Sequence, residues 1–172
     1  MSAGKSLSIA GGIVTLIATF LLTWITLDIA GTLYYASGIG TFKQVMDMYA
    51  QASFYATQLS LPIWSIYLIA SILVWFLFSG VTILFGAGSR VASILGSLMP
   101  ILIAVGIFMY VMGNVPQDWI RYFFTESNPF IVDILPLRVM SPGLIGLGTY
   151  LLLLGGILGF IGGILPRPEY YY

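Results

Sequence analysis

Twelve charged residues in a chain of 172 leave four stretches with none, and these stretches constrain the fold more than any other feature. Residues 6–27, 48–89, 91–117 and 139–166 contain no Asp, Glu, Lys or Arg. A helix rising about 1.5 Å per residue needs about 20 apolar residues to cross about 30 Å of hydrocarbon, so each stretch has room for one span. Composition points the same way: 59% of residues are apolar or aromatic and 7% are charged, against about 25% charged in a soluble domain. The solvent this predicts for most of the surface is lipid.

The expected fold class is therefore all-α: a polytopic membrane protein, one domain over residues 1–172, with four transmembrane helices in an antiparallel bundle. The spans are placed at about 7–27, 61–85, 91–112 and 143–165. Ser60 is the expected N-cap of the second, with Pro62 in its first turn, and Ser89 that of the third. Gly113-Asn114 supplies a stop for the third, while Pro142 and Pro166 bracket the fourth. Helices are required because each backbone amide in hydrocarbon must find a partner within its own segment, and no ten-residue alternation of barrel type is present. The first apolar run exceeds the 7–15 residues typical of a cleaved signal, which predicts an uncleaved anchor. The tight turn Phe85-Gly86-Ala87-Gly88-Ser89-Arg90 makes spans two and three antiparallel neighbours.

Orientation follows from basic density. With both termini cytoplasmic, Lys5, Arg90 and Arg167 fall in short inner segments, while Lys43, Arg121 and Arg138 are spread over two long outer loops. The higher density inside is the usual bias. Trp24 and Trp64 then belong at the outer interface, where amphipathic rings settle.

The outer loops, about 28–60 and 113–142, each predict a short interfacial helix. In the first, Leu33-Tyr34-Tyr35 with Gly38 and Gly40 is compatible with a hairpin or irregular turn. Thr41 and Gln44 then match a capping box, and Phe42, Val45, Tyr49 and Ala52 recur at helical spacing, predicting a helix over about 42–57 on the membrane or on the bundle. In the second, Pro116 and Asp118 suit a helix start, and Trp119, Tyr122 and Phe123 share one face. These aromatics either shield the span ends or meet a partner.

The most specific motif is Gly155, Gly159 and Gly163, a glycine at every fourth residue of span four. Such spacing places small residues on one face and lets another helix approach backbone to backbone. Span one offers a matching stripe in Gly11, Thr15, Ala18, Thr19 and Thr23, whose hydroxyls are expected to bond their own backbone or a neighbour. Span three adds Gly96, Pro100 and Ala104, with a kink expected at Pro100. Two readings stand: the stripes seal the bundle internally, or one glycine face joins a second copy or another subunit.

Several chemistries find no support in the residues. The chain has no His and no Cys, the common ligands for zinc, copper, haem and iron–sulfur clusters, so neither metal nor cofactor is expected. Net charge is zero, which offers no basic patch for nucleic acid. The predicted membrane interior holds no ionisable residue of the kind that marks ion paths, proton relays or substrate sites. No catalytic triad, phosphate-binding glycine loop or EF-hand spacing occurs.

Four spans, cytoplasmic ends, a longer first outer loop after Trp24 and a glycine-rich last helix resemble the claudin and peripheral-myelin-protein group. The resemblance is one of layout over the whole chain; the Gly-Leu-Trp and the cysteine pair of claudin first loops have no counterpart here. It implies a role in adhesion or barrier formation. The residues themselves favour a non-catalytic structural or accessory subunit that packs laterally with itself or with other membrane subunits in lipid. The alternatives are a channel or small-solute transporter lined by Ser and Thr hydroxyls, and, least supported, a membrane enzyme.

Overall fold

A computed structural model describes residues 2–29, 32–114, 125–126, 137 and 145–166. It is mostly helical. Helix α1 spans Ala3–Phe20, α2 Gly38–Ala50, α3 Ala52–Leu59, α4 Ile63–Phe85, α5 Arg90–Val111 and α6 Leu147–Ile164. Four of these, α1, α4, α5 and α6, are long and apolar enough to cross a membrane. Charged residues enter these four only at their ends, as Lys5 near the start of α1 and Arg90 at the start of α5.

The first departure from an all-α expectation comes where α1 stops at Phe20 instead of running on to residue 27. Strand β1 (Ile25–Ile29) pairs antiparallel with β2 (Thr32–Ala36), and β2 pairs with β3 (Thr125–Glu126), giving the order β1-β2-β3. Ile25 faces Ala36 and Thr26 faces Tyr35 in the first pair, and Tyr35 faces Glu126 in the second. An apolar run such as Thr23-Trp24-Ile25-Thr26-Leu27 satisfies a hydropathy criterion for helix, but its β-branched and aromatic residues suit a strand once a partner strand exists.

The first outer loop also folds differently in detail. Ser37, not Thr41, caps α2, accepting from the Gly40 backbone N–H at 3.2 Å. Thr41 lies inside the first turn and donates to the Ser37 carbonyl at 2.9 Å, while Gln44 reaches away to the Tyr55 hydroxyl at 3.2 Å. The single helix expected over 42–57 is broken at Gln51 into α2 and α3. Ser60 does not start α4. It closes α3 in the left-handed region, φ 53°, and the Leu61 N–H returns to the Ala56 carbonyl at 2.9 Å, as in a helix C-terminal cap. Pro62 occupies the residue before α4. Ser89 caps α5 as expected, accepting from the Ala92 N–H at 3.4 Å, and α5 continues unbroken through the buried Pro100. Residues 143 and 144, with Pro142, lie outside the described residues, as does the expected second-loop helix; α6 starts at Leu147.

The start of α1 meets the end of α6, with Gly4 against Gly162, and Gly12 of α1 meets Gly80 and Leu84 late in α4. Helix α4 packs on α5 through Ile83 and Gly96. The main core joins Ala18, Trp24, Phe76, Leu77, Ala104, Ile107 and Leu152. Beyond α1, the first half of α4 extends past Phe76, and there α2 and α3 cover it. Val45, Met48, Tyr55 and Ala56 form a second core with Ile66, Ala70 and Leu73.

Candidate helix-packing interface

Helix α6 buries eight residues, six of them glycine: Gly148, Gly155, Gly156, Gly159, Gly162 and Gly163. Each glycine costs roughly 1 kcal/mol of helix propensity relative to alanine, so the helix is built of them only where backbone itself must be the packing surface. A Cβ at Gly155 would strike the Thr15 hydroxyl and lie 2.9 Å from the Thr15 nitrogen; one at Gly162 would lie 2.7 Å from the Ser8 nitrogen. Gly148 faces the Thr23 carbonyl and the Trp24 ring. These three, seven residues apart, all face α1 or its continuation. Gly156 and Gly163, also seven apart, face α5, meeting Ser97 and Ile101 and then Arg90 and Ile94.

The motif Gly155, Gly159, Gly163 therefore does not form the single face expected of it. Seven residues return to within about 20° of the same direction, whereas each four-residue step drifts about 40°. Gly155 faces α1, Gly159 lies between Gly11 of α1, Ser97 of α5 and Ile83 of α4, and Gly163 faces α5. The heptad spacing was already present in the sequence and identifies the two faces.

The partner stripes are in place. Gly11 sits against Gly155 and Gly159, and Gly96 against Ile83 and Thr82. Thr15 and Thr19 are buried, and neither hydroxyl has a hydrogen-bond partner among the described residues, nor does that of Ser79 on α4. A buried hydroxyl left in this state costs about 1–3 kcal/mol. Satisfied hydroxyls lie elsewhere, in a seam that crosses three helices. Ser8 of α1 and Ser93 of α5 are joined at 2.8 Å, and Ser93 donates to the Gly159 carbonyl of α6 at 2.7 Å. Ser97 donates to the Ser93 carbonyl at 2.5 Å. Ser8 also donates to the Gly4 carbonyl of its own helix at 3.0 Å, so either hydroxyl can be the donor between Ser8 and Ser93. These serines extend the Gly11-Thr15 and Gly96-Pro100 stripes by one turn, which is the signal that could have found them.

The aromatic candidates separate sharply. Trp24 is 0% exposed and Trp64 is 67% exposed. Trp24 is thus part of the core and is not a surface contact. Its indole Nε1 donates to the Ala18 carbonyl at 2.8 Å, satisfying one of the four carbonyls that the end of α1 leaves without helical partners. Its ring meets Phe76 edge-on, centroids 5.3 Å apart. Its carbonyl accepts from the Gly146 N–H at 2.7 Å and from the Thr149 hydroxyl at 2.7 Å, tying the start of α6 to the end of α1. Trp119, Tyr122 and Phe123 lie outside the described residues.

Among the described residues no group of three or more His, Cys, Asp or Glu comes together. What this arrangement performs chemically is close association of helices, through glycine backbone contacts and a serine seam. No family model, curated protein or solved structure matches the chain.

Proposed function

We propose that this chain is a non-catalytic integral membrane protein, an antiparallel four-helix bundle with both termini cytoplasmic, that serves as a structural or accessory subunit within the bilayer. The carrying observation is the division of labour among the four long helices. Their small and hydroxyl-bearing residues face one another, and their large apolar residues face out, including Leu68 and Phe78 on α4, Leu102 and Met109 on α5, and Leu154 and Ile161 on α6.

This division moves the proposed lateral contact. With Gly155, Gly159 and Gly163 engaged inside the chain, a second copy or another subunit is met through the outward apolar faces. A solute path along the α1–α6 seam is disfavoured, because a single added Cβ at Gly11 would lie 2.5 Å from the Gly159 nitrogen and 2.7 Å from the Gly155 carbonyl oxygen. Claudin-like adhesion remains an analogy of layout and supplies no residue to this reading.

Native mass spectrometry of the full chain released from lipid nanodiscs tests the proposal. Retention of a second copy or of another membrane subunit supports it. A bare monomer that also conducts ions in a planar bilayer would refute it. Cysteines placed singly at Ser2 and at Gly88 report orientation: both should be labelled from the cytoplasmic side only.

A further inference from the structure

Helix α2 has three differently made sides. At about 100° per residue, Thr41, Val45 and Met48 share one direction, Phe42, Met46 and Tyr49 a second, and Lys43 and Asp47 a third, with roughly 100–150° between neighbours. The first side is buried, with Val45 and Met48 packed against α4. The second is apolar yet uncovered: Phe42 is 56% exposed, Met46 58% and Tyr49 41%. A helix docked on a water-soluble surface has two kinds of side, buried and polar. A third side, apolar and open, needs a third medium.

We propose that α2 is inserted edgewise into the outer lipid leaflet, with Val45 and Met48 on α4, Phe42 and Met46 in acyl chains, and Lys43 and Asp47 toward water. The inference rests on the membrane reading given above and names the ligand of one face of it: phospholipid at the headgroup and upper acyl level. Continuity with α4 selects lipid over a protein partner. Tyr49 stacks on Tyr67 of α4 with centroids 5.9 Å apart, and its hydroxyl bonds Ser71 at 2.9 Å. Tyr67 and the neighbouring Leu68 are themselves exposed on α4, a helix long enough to span. The open side of α2 thus joins the outward face of α4 at Tyr49. The contact is also at the right height: α2 and α3 cover Ile66 to Leu73, within the first half of α4 and within about 15 Å of its start at Ile63. An amphipathic helix in this setting buries its apolar side about 5–10 Å into the headgroup and acyl boundary.

The absence of cysteine from the chain makes the test direct. Single variants Phe42→Cys, Met46→Cys and Lys43→Cys, with Leu102→Cys on the outward face of α5 as reference, are labelled with an environment-sensitive fluorophore in phosphatidylcholine vesicles. Quenching is read with nitroxide lipids carrying the spin label at a shallow or a deep acyl position, and with aqueous iodide. All four side chains are exposed, so folding is not at stake in the substitutions. The expected result is quenching at 42 and 46 by shallow nitroxide lipid several-fold stronger than by iodide, with the reverse at 43, and deep-lipid quenching at 102. If 42 and 46 are quenched chiefly by iodide, or are shielded from both quenchers as a protein partner or second copy would shield them, while 102 reports lipid, the insertion of α2 is wrong and the bundle reading stands. If 102 itself reports water, the membrane reading fails and the insertion fails with it.

Discussion

Replacing Gly11 by alanine measures how much of the fold rests on backbone-to-backbone approach. The added Cβ would lie 2.5 Å from the Gly159 nitrogen, 2.7 Å from the Gly155 carbonyl oxygen and 3.0 Å from the Gly159 Cα. All three are backbone atoms, so no side chain can turn aside. Ordinary contact starts near 3.4 Å, and bringing 2.5 Å to that value separates α1 from α6 by about 0.9 Å. Overpacking of this kind costs about 1–3 kcal/mol, and an unyielding neighbour belongs at the upper end. Alanine also gains about 1 kcal/mol of helix propensity, which would mask part of the loss. Gly106→Ala removes that ambiguity, because Gly106 is also in a long helix and its Cβ would meet nothing within 4 Å. The propensity gain cancels between the two variants, leaving a difference of about 3 kcal/mol. Reversible unfolding in mixed micelles of mild detergent and dodecyl sulfate, followed by circular dichroism, reads it. Should Gly11→Ala fall within about 0.5 kcal/mol of Gly106→Ala, the ordinary scatter of surface substitutions, close backbone packing is not what holds α1 to α6.

Other substitutions probe separate parts of the same reasoning. Trp24→Phe keeps an aromatic ring beside Phe76 but strands the Ala18 carbonyl, and should lower stability by about 1–3 kcal/mol in the same titration; an unchanged midpoint would remove the indole from its capping role. Ser79→Ala deletes a buried hydroxyl that has no partner among the described residues and should raise stability by about 1 kcal/mol, whereas a loss of similar size would mean the hydroxyl is satisfied. Ser93→Ala breaks the link between Ser8 and the Gly159 carbonyl; a loss of about 1 kcal/mol is expected for such a bond between membrane helices, checked by a double-mutant cycle with Ser8→Ala. Gly159→Leu should abolish folding, seen as lost helical signal and aggregation on gel filtration, because Ser97 and Ile83 occupy the space. A folded monomer released from an oligomer would instead put Gly159 on an outer face.

The sequence by itself determined the number and approximate extent of the long helices, because apolar length is a local property and lipid thickness sets its threshold. Ser89 as a cap, the short turn before α5 and the small-residue stripes were legible for the same reason: each depends on residues within a turn or two of one another. What only the tertiary structure decided depends on contacts far apart in the chain. The run from Thr23 to Leu27 is as apolar as a helix end, yet from Ile25 onward it is strand, because Thr32–Ala36 pairs with Ile25–Ile29. Trp24 reads as an interfacial ring until Ala18, Phe76 and Thr149 close around it. Gly155 and Gly163 share a spacing but not a neighbour, since a helix of 3.6 residues per turn separates them by about 80° over eight residues, and only the placement of α1 and α5 around α6 settles which side each glycine serves.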